Sequence, residues 1–207
     1  LTELRTKVAI LGGAFDPITK GHTAIARFVL STRMFDEVWL MPCFRHLYGK
    51  NMTSADHRVE MCTVATRADK KIKVCTYEIT NSLNGETYHL IKQLLEADFA
   101  KQFDFSIIIG MDNANTFDKW FNYKELEQMI QFVVVPRNGV KQDLKVMWYM
   151  KPPHVYLVPD KPLVECSSTQ VREQLKLYSV MAVLPESLES HLDPMVFDYI
   201  HLNNLYT

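Results

Sequence analysis

Two stretches of the chain bring together residues suited to holding phosphate. Val8 to Thr23 reads VAILGGAFDPITKGHT: a short apolar run, Gly12-Gly13, a turn signal at Asp16-Pro17, then Thr19-Lys20-Gly21-His22 leading into a helical pattern that continues to Leu30. Cys166 to Arg172 reads CSSTQVR, in which serine caps a helix and Arg172 lies one turn inside it. A strand, a glycine turn and a helix start set free backbone N–H groups and the positive end of a helix dipole before an anion. Glycine lets the backbone turn sharply and lie against the ligand. Serine hydroxyls and an arginine at the second helix extend the same chemistry along a phosphate chain. The first stretch lacks the Gly-Lys-Ser/Thr ending of a P-loop and the G-x-G-x-x-G of a dinucleotide fold.

Taken singly, these residues are unspecific. His22 alone reads as a surface helix histidine, Gly12-Gly13 as any strand-to-helix turn, and Ser167-Ser168-Thr169 as a plain helix cap. Trp120 alone reads as core or interface, Asp112 as a helix cap, and Arg137 as a solvated turn residue. His57 and Arg58 read as structural or solvated residues of a helix face. The weight lies in their combination and order.

The elements that must position them alternate. Apolar runs at Val8–Leu11, Glu37–Met41, Ile72–Thr76, Phe105–Ile109, Phe132–Val135 and Val155–Val158 read as strands. Helical patterns lie between them, at about Gly21–Ser31, Ser54–Thr66, Thr87–Asp98, Tyr123–Met129 and Ser168–Leu177. Alternating strands and helices imply a parallel sheet with right-handed crossovers, whose ligands bind at the carboxyl ends of the strands. Every stretch above follows a strand. We expect an α/β fold, one domain over residues 1–207, with a small helical part over about 180–207.

Composition sets further bounds. Over 207 residues, 47% hydrophobic and 23% charged residues suit a soluble globular chain. A net charge of −1 gives no electrostatic support to a nucleic-acid or membrane-surface role. Cys43, Cys62, Cys75 and Cys166 show neither C-x-x-C nor zinc spacing. They read as reduced thiols of a cytoplasmic protein. No apolar run reaches the roughly 20 residues that span a bilayer, and no signal peptide is expected.

Gly12-Gly13-Ala14-Phe15-Asp16-Pro17 with Thr19-x-Gly21-His22 resembles the (H/T)-x-G-H nucleotidyltransferases, and most closely the nicotinate (or nicotinamide) mononucleotide adenylyltransferases of NAD synthesis. The likeness covers nearly the whole chain. Gly110-Met111-Asp112, Trp120 and Arg137 resemble the family's I-G-x-D, its following tryptophan and its arginine after the next strand. Cys166-Ser167-Ser168-Thr169-x-x-Arg172 resembles its I-S-S-T-x-x-R, and Leu184-Pro185-Glu186 with Met195 to Leu205 its closing helices. Thr19 stands where most bacterial members carry histidine. The family's Pro-Pro-His-Lys loop is replaced by Phe44–Lys50, in which His46 takes the histidine's place and Lys50 is left open. The Ser-Tyr-Thr that precedes the family's next helix is not found before Thr87.

The resemblance implies a Rossmann-like fold with helices on both faces of the sheet. It implies transfer of the adenylyl group of ATP to nicotinate or nicotinamide mononucleotide, with release of pyrophosphate. Such a nucleophile is already an anionic phosphate oxygen, so positioning and charge stabilisation suffice. On this likeness the backbone of Gly12, Gly13, Ala14 and Phe15 cradles phosphates, and His22, assisted by Thr19, donates to the α-phosphate. Ser167, Ser168, Thr169 and Arg172 hold the β- and γ-phosphates. Asp112 with Gly110 meets a ribose, Trp120 stacks on the pyridine, Arg137 pairs with the mononucleotide phosphate, and Thr87 opens the adjoining helix. Mg²⁺ comes with ATP, and no protein metal ligands are expected. A homo-oligomer is compatible with the family. Phosphopantetheine adenylyl transfer, which also uses Thr-x-Gly-His, and non-catalytic nucleotide binding stay open as alternatives.

Overall fold

The sheet runs β3-β2-β1-β4-β5-β6 and every pairing is parallel. The computed structural model describes residues 4–45, 49, 51–178 and 180–207. His46 and Lys50 lie outside them. In chain order the elements are β1 (Thr6–Gly13), α1 (Lys20–Ser31), β2 (Glu37–Pro42), α2 (Ala55–Ala65), β3 (Ile72–Val74), α3 (Tyr77–Thr80), α4 (Thr87–Glu96), β4 (Phe103–Gly110), α5 (Met111–Asn115), α6 (Tyr123–Met129), β5 (Gln131–Val135), β6 (Val155–Tyr156), α7 (Ser168–Leu177), α8 (Glu186–Glu189) and α9 (Pro194–Leu202).

The period of two along each strand divides the apolar residues between two cores. Ala9, Leu11, Leu40, Ile108 and Val133 face α1, α2, α7 and α9, packing with Val29, Met61, Val171 and Phe197. Val8, Ile10, Met41, Ile107 and Phe132 face the other way, onto Leu90, Ile91 and Leu94 of α4 and Leu126 of α6. Burying each such aliphatic side chain stabilises the fold by roughly 1.5–3 kcal/mol. A slip of one residue would exchange the two faces, so the register of the central strands is strongly specified.

The expectations from sequence hold for the alternation and for the parallel sheet. α6 and α7 match their expected bounds, and Ser54 caps α2, accepting from the His57 N–H at 3.5 Å. Other elements differ. β3 stops at Val74 and β6 at Tyr156, short of the expected Thr76 and Val158. After Val74 the chain turns into α3 instead of continuing as strand, because β3 is an edge with only β2 to pair with. Arg58, read as structural or solvated, is fully buried, which fits the structural reading. All four cysteines are free. No helix among the described residues is long and apolar enough to cross a membrane.

Strand order reverses between β1 and β4, and a ligand crevice is expected outside their carboxyl ends. Gly13 ends β1 and Gly110 ends β4. The C-terminal helices return to this end: the Lys20 N–H donates to the His191 carbonyl at 2.8 Å, and Lys20 Nζ to that of Glu189 at 2.7 Å.

Candidate active site

The sequence places a glycine turn after β1, but Gly12 and Gly13 are part of the strand. The left-handed residue is Phe15, at φ 50°. Its buried ring packs edge-on to His22, with centroids 5.0 Å apart. Close packing favours glycine further on: a Cβ on Gly21 would lie 3.2 Å from both Cys166 N and the Val164 carbonyl. This close approach brings the start of α1 against the segment that leads into α7.

Thr19 precedes α1 and is buried. Its backbone N–H donates to His22 Nδ1 at 3.0 Å, and its hydroxyl lies 3.0 Å from the same nitrogen. A nitrogen that accepts a backbone N–H carries no proton, so the ring is the neutral tautomer with Nε2–H as its donor. Desolvation, with the charge of Arg137 adding to it, lowers the imidazole from 6.5 to about 4. Thr19 thus holds the His22 ring from both its backbone N–H and its hydroxyl.

A cleft of about 380 Å³ opens beside His22. Gly12, Gly110, Asp112, Arg137 and Ser167 also line it, with apolar walls from Ile25 and Val135. Arg137 donates to Asp112 Oδ2 at 2.6 Å, while Asp112 Oδ1 is buried without a partner among the described residues. A Cβ on Gly110 would stand 2.7 Å from that oxygen, so glycine makes room for the carboxylate. A second cleft, about 860 Å³, is lined by Thr87, Lys119 and Trp120. Asn113 lines both. The expected residues thus fall into two groups: Asp112, Gly110 and Arg137 lie with His22, and Trp120 and Thr87 lie apart from it.

The remaining residues hold the loop between β1 and α1. Ser168 donates its hydroxyl to the Pro17 carbonyl at 2.8 Å, and Arg172 donates to the Asp16 carbonyl at 2.7 Å and to Thr169 Oγ1 at 3.2 Å. Ser168, Thr169 and Arg172 are therefore engaged with protein atoms, and only Ser167 of these four lines the cleft. Arg58, which the sequence leaves as either structural or solvated, donates to the carbonyls of Ala14, Cys43 and Thr53 at 2.8, 2.8 and 2.9 Å. No sequence signal separates this arginine from a solvated one, because its partners are backbone carbonyls set by the fold. Among the described residues, no group of three or more His, Cys, Asp or Glu could hold a metal ion.

A helix start at the switch point of a 3-2-1-4-5-6 sheet, with a histidine donor in the cleft, defines a Rossmann-like nucleotide-binding protein. The cytidylyltransferase-like family model matches residues 10–174. The probable nicotinate-nucleotide adenylyltransferase of Bacillus anthracis is 32% identical over 203 residues, covering 97% of this chain and 98% of the relative. That of Anaeromyxobacter dehalogenans is 31% identical over 193 residues, covering 90% and 94%. The nicotinic acid mononucleotide adenylyltransferase of Plasmodium falciparum, solved with NaAD, superposes with a TM-score of 0.79 at 24% identity, covering 98% of both chains. The chain belongs to the cytidylyltransferase-like family and, within it, to the nicotinate-nucleotide adenylyltransferases.

Proposed function

We propose that the chain, acting as one nucleotidyltransferase domain, joins ATP to nicotinate mononucleotide and releases pyrophosphate. The observation that carries this reading is the neutral His22, held by Thr19 in a cleft that Asp112 and Arg137 also line. ATP occupies this cleft. The Asp112 carboxylate accepts from a ribose hydroxyl, and the start of α1 faces the phosphates. The mononucleotide lies in the second cleft, its pyridine ring on Trp120. Its phosphate oxygen attacks the α-phosphorus of ATP, the bond to the α,β-bridging oxygen breaks, and pyrophosphate leaves. His22 Nε2–H donates to a non-bridging α-phosphate oxygen as charge grows there. Mg²⁺ enters as part of the Mg·ATP substrate. The ligands are small metabolites rather than nucleic acid, and the free thiols suit a reducing cytoplasm.

The test is product analysis with Mg·ATP and either nicotinate or nicotinamide mononucleotide. The deamido dinucleotide is expected to form faster. Faster formation of NAD would reverse the substrate preference, and turnover of phosphopantetheine alone would overturn the reading.

A further inference from the structure

The loop between β1 and α1 is restrained from several sides, and one restraint comes from far along the chain. The carboxylate of Asp16 is buried. Its Oδ2 accepts the Thr53 N–H at 3.1 Å, and its Oδ1 accepts the Tyr206 hydroxyl. Tyr206 stands 190 residues from Asp16. After α9 the chain turns back through a Leu205 N–H to Ile200 carbonyl bond of 3.0 Å. Asn204 and Tyr206 are both left-handed, at φ 50° and 60°, a conformation uncommon for non-glycine residues and sustained by the surroundings. The Tyr206 ring packs against the core of the α1 face.

We propose that Tyr206 is a positioning residue for adenylyl transfer, its hydroxyl fixing Asp16 and thereby the loop that carries Thr19 and His22. This rests on the function proposed above. Arg172 and Ser168 hold the loop's carbonyls, whereas Tyr206 and Thr53 hold its buried carboxylate. Burial and the adjacent Asp16 keep the phenol well above its ordinary pKa, so it remains a donor. Removing the hydroxyl leaves the carboxylate, three residues before Thr19, held by the Thr53 N–H alone, and a small displacement of a catalytic donor is costly.

The test compares the full chain with Tyr206→Phe, Asp16→Asn and the double variant. Pyrophosphate release, thermal unfolding and amide hydrogen exchange are measured for each. Tyr206→Phe is expected to lower kcat roughly tenfold while KM for ATP moves less than about threefold. The Thr53 amide is expected to exchange faster, and the unfolding midpoint to fall by roughly 2–10 °C, because a buried carboxylate oxygen loses its donor. The double variant is expected to lose less than the product of the single losses, because both act through one bond. Unchanged kcat and unchanged Thr53 exchange in Tyr206→Phe would overturn the proposal. If the unaltered chain gives no product, the functional reading falls, and Thr53 exchange alone then decides whether Tyr206 holds the loop.

Discussion

The Thr19 N–H donates to His22 Nδ1 at 3.0 Å, which leaves His22 a single proton, on Nε2. Because burial and Arg137 lower the ring to about 4, it is neutral across the working range of most enzymes. A neutral donor can stabilise developing charge without titrating near neutrality. The pH profile of kcat/KM, which reports the free enzyme, should therefore show no limb near pH 6.5 from His22. Such a limb, lost in His22→Ala, would contradict this assignment. The same shift lowers stability as pH falls from 6.5 towards 4, since the unfolded ring takes up a proton that the folded ring resists.

Thr19→Val keeps the backbone N–H but removes the hydroxyl beside His22 Nδ1. Loss of one such interaction is worth about 0.5–1.5 kcal/mol, so kcat should fall roughly twofold to tenfold. Steady-state kinetics check this. A loss as large as that of His22→Ala would mean that the hydroxyl itself contacts the phosphate.

Asp112 and Arg137 form an exposed ion pair, with side chains 39% and 54% accessible. Such pairs contribute about 0–1 kcal/mol to stability. Asp112→Ala should hardly move the unfolding midpoint. It should raise KM for ATP roughly tenfold or more, as loss of a bond to a charged acceptor implies. A large drop in stability with unchanged KM would assign the pair to structure.

Glu78 is buried, and its carboxyl is raised from 4.5 to about 7, chiefly by desolvation. The Phe44 N–H, which donates to Oε1, and the charge of Arg58 oppose the rise. A raised folded pKa means that the folded chain holds this proton more tightly. Its contribution to stability is complete below about 4.5 and is lost as pH rises through 7. Glu78→Gln should flatten that dependence and raise the unfolding midpoint at about pH 8 by roughly 2–6 °C. Thermal melts at about pH 5 and about pH 8, on either side of the raised value, test this. A lower midpoint for the variant at the higher pH would show that the ionised carboxylate supports Arg58.

Much of this arrangement is legible in the chain. The strand alternation points to the parallel sheet, and Gly21-His22 and Ser167-Ser168 mark the two helix starts, because these depend on local spacing. The division of labour is not legible. Ser168 and Arg172 look like phosphate ligands, yet they bond the Pro17 and Asp16 carbonyls, 151 and 156 residues away in sequence. Arg58 and Tyr206 carry no local signal, since burial and partners arise only when distant segments meet. Asp112 and Arg137 read from sequence as mononucleotide contacts, and it is the pairing of β4 with β5 that brings both to the His22 cleft.

The most direct test of the central claim is pyrophosphate release from Mg·ATP and nicotinate mononucleotide by the unaltered chain and by His22→Ala. Turnover that falls by a factor of roughly 10² or more in the variant, at unchanged stability, is the predicted result. Equal turnover in the two, or none in the unaltered chain despite measurable ATP binding, would contradict it.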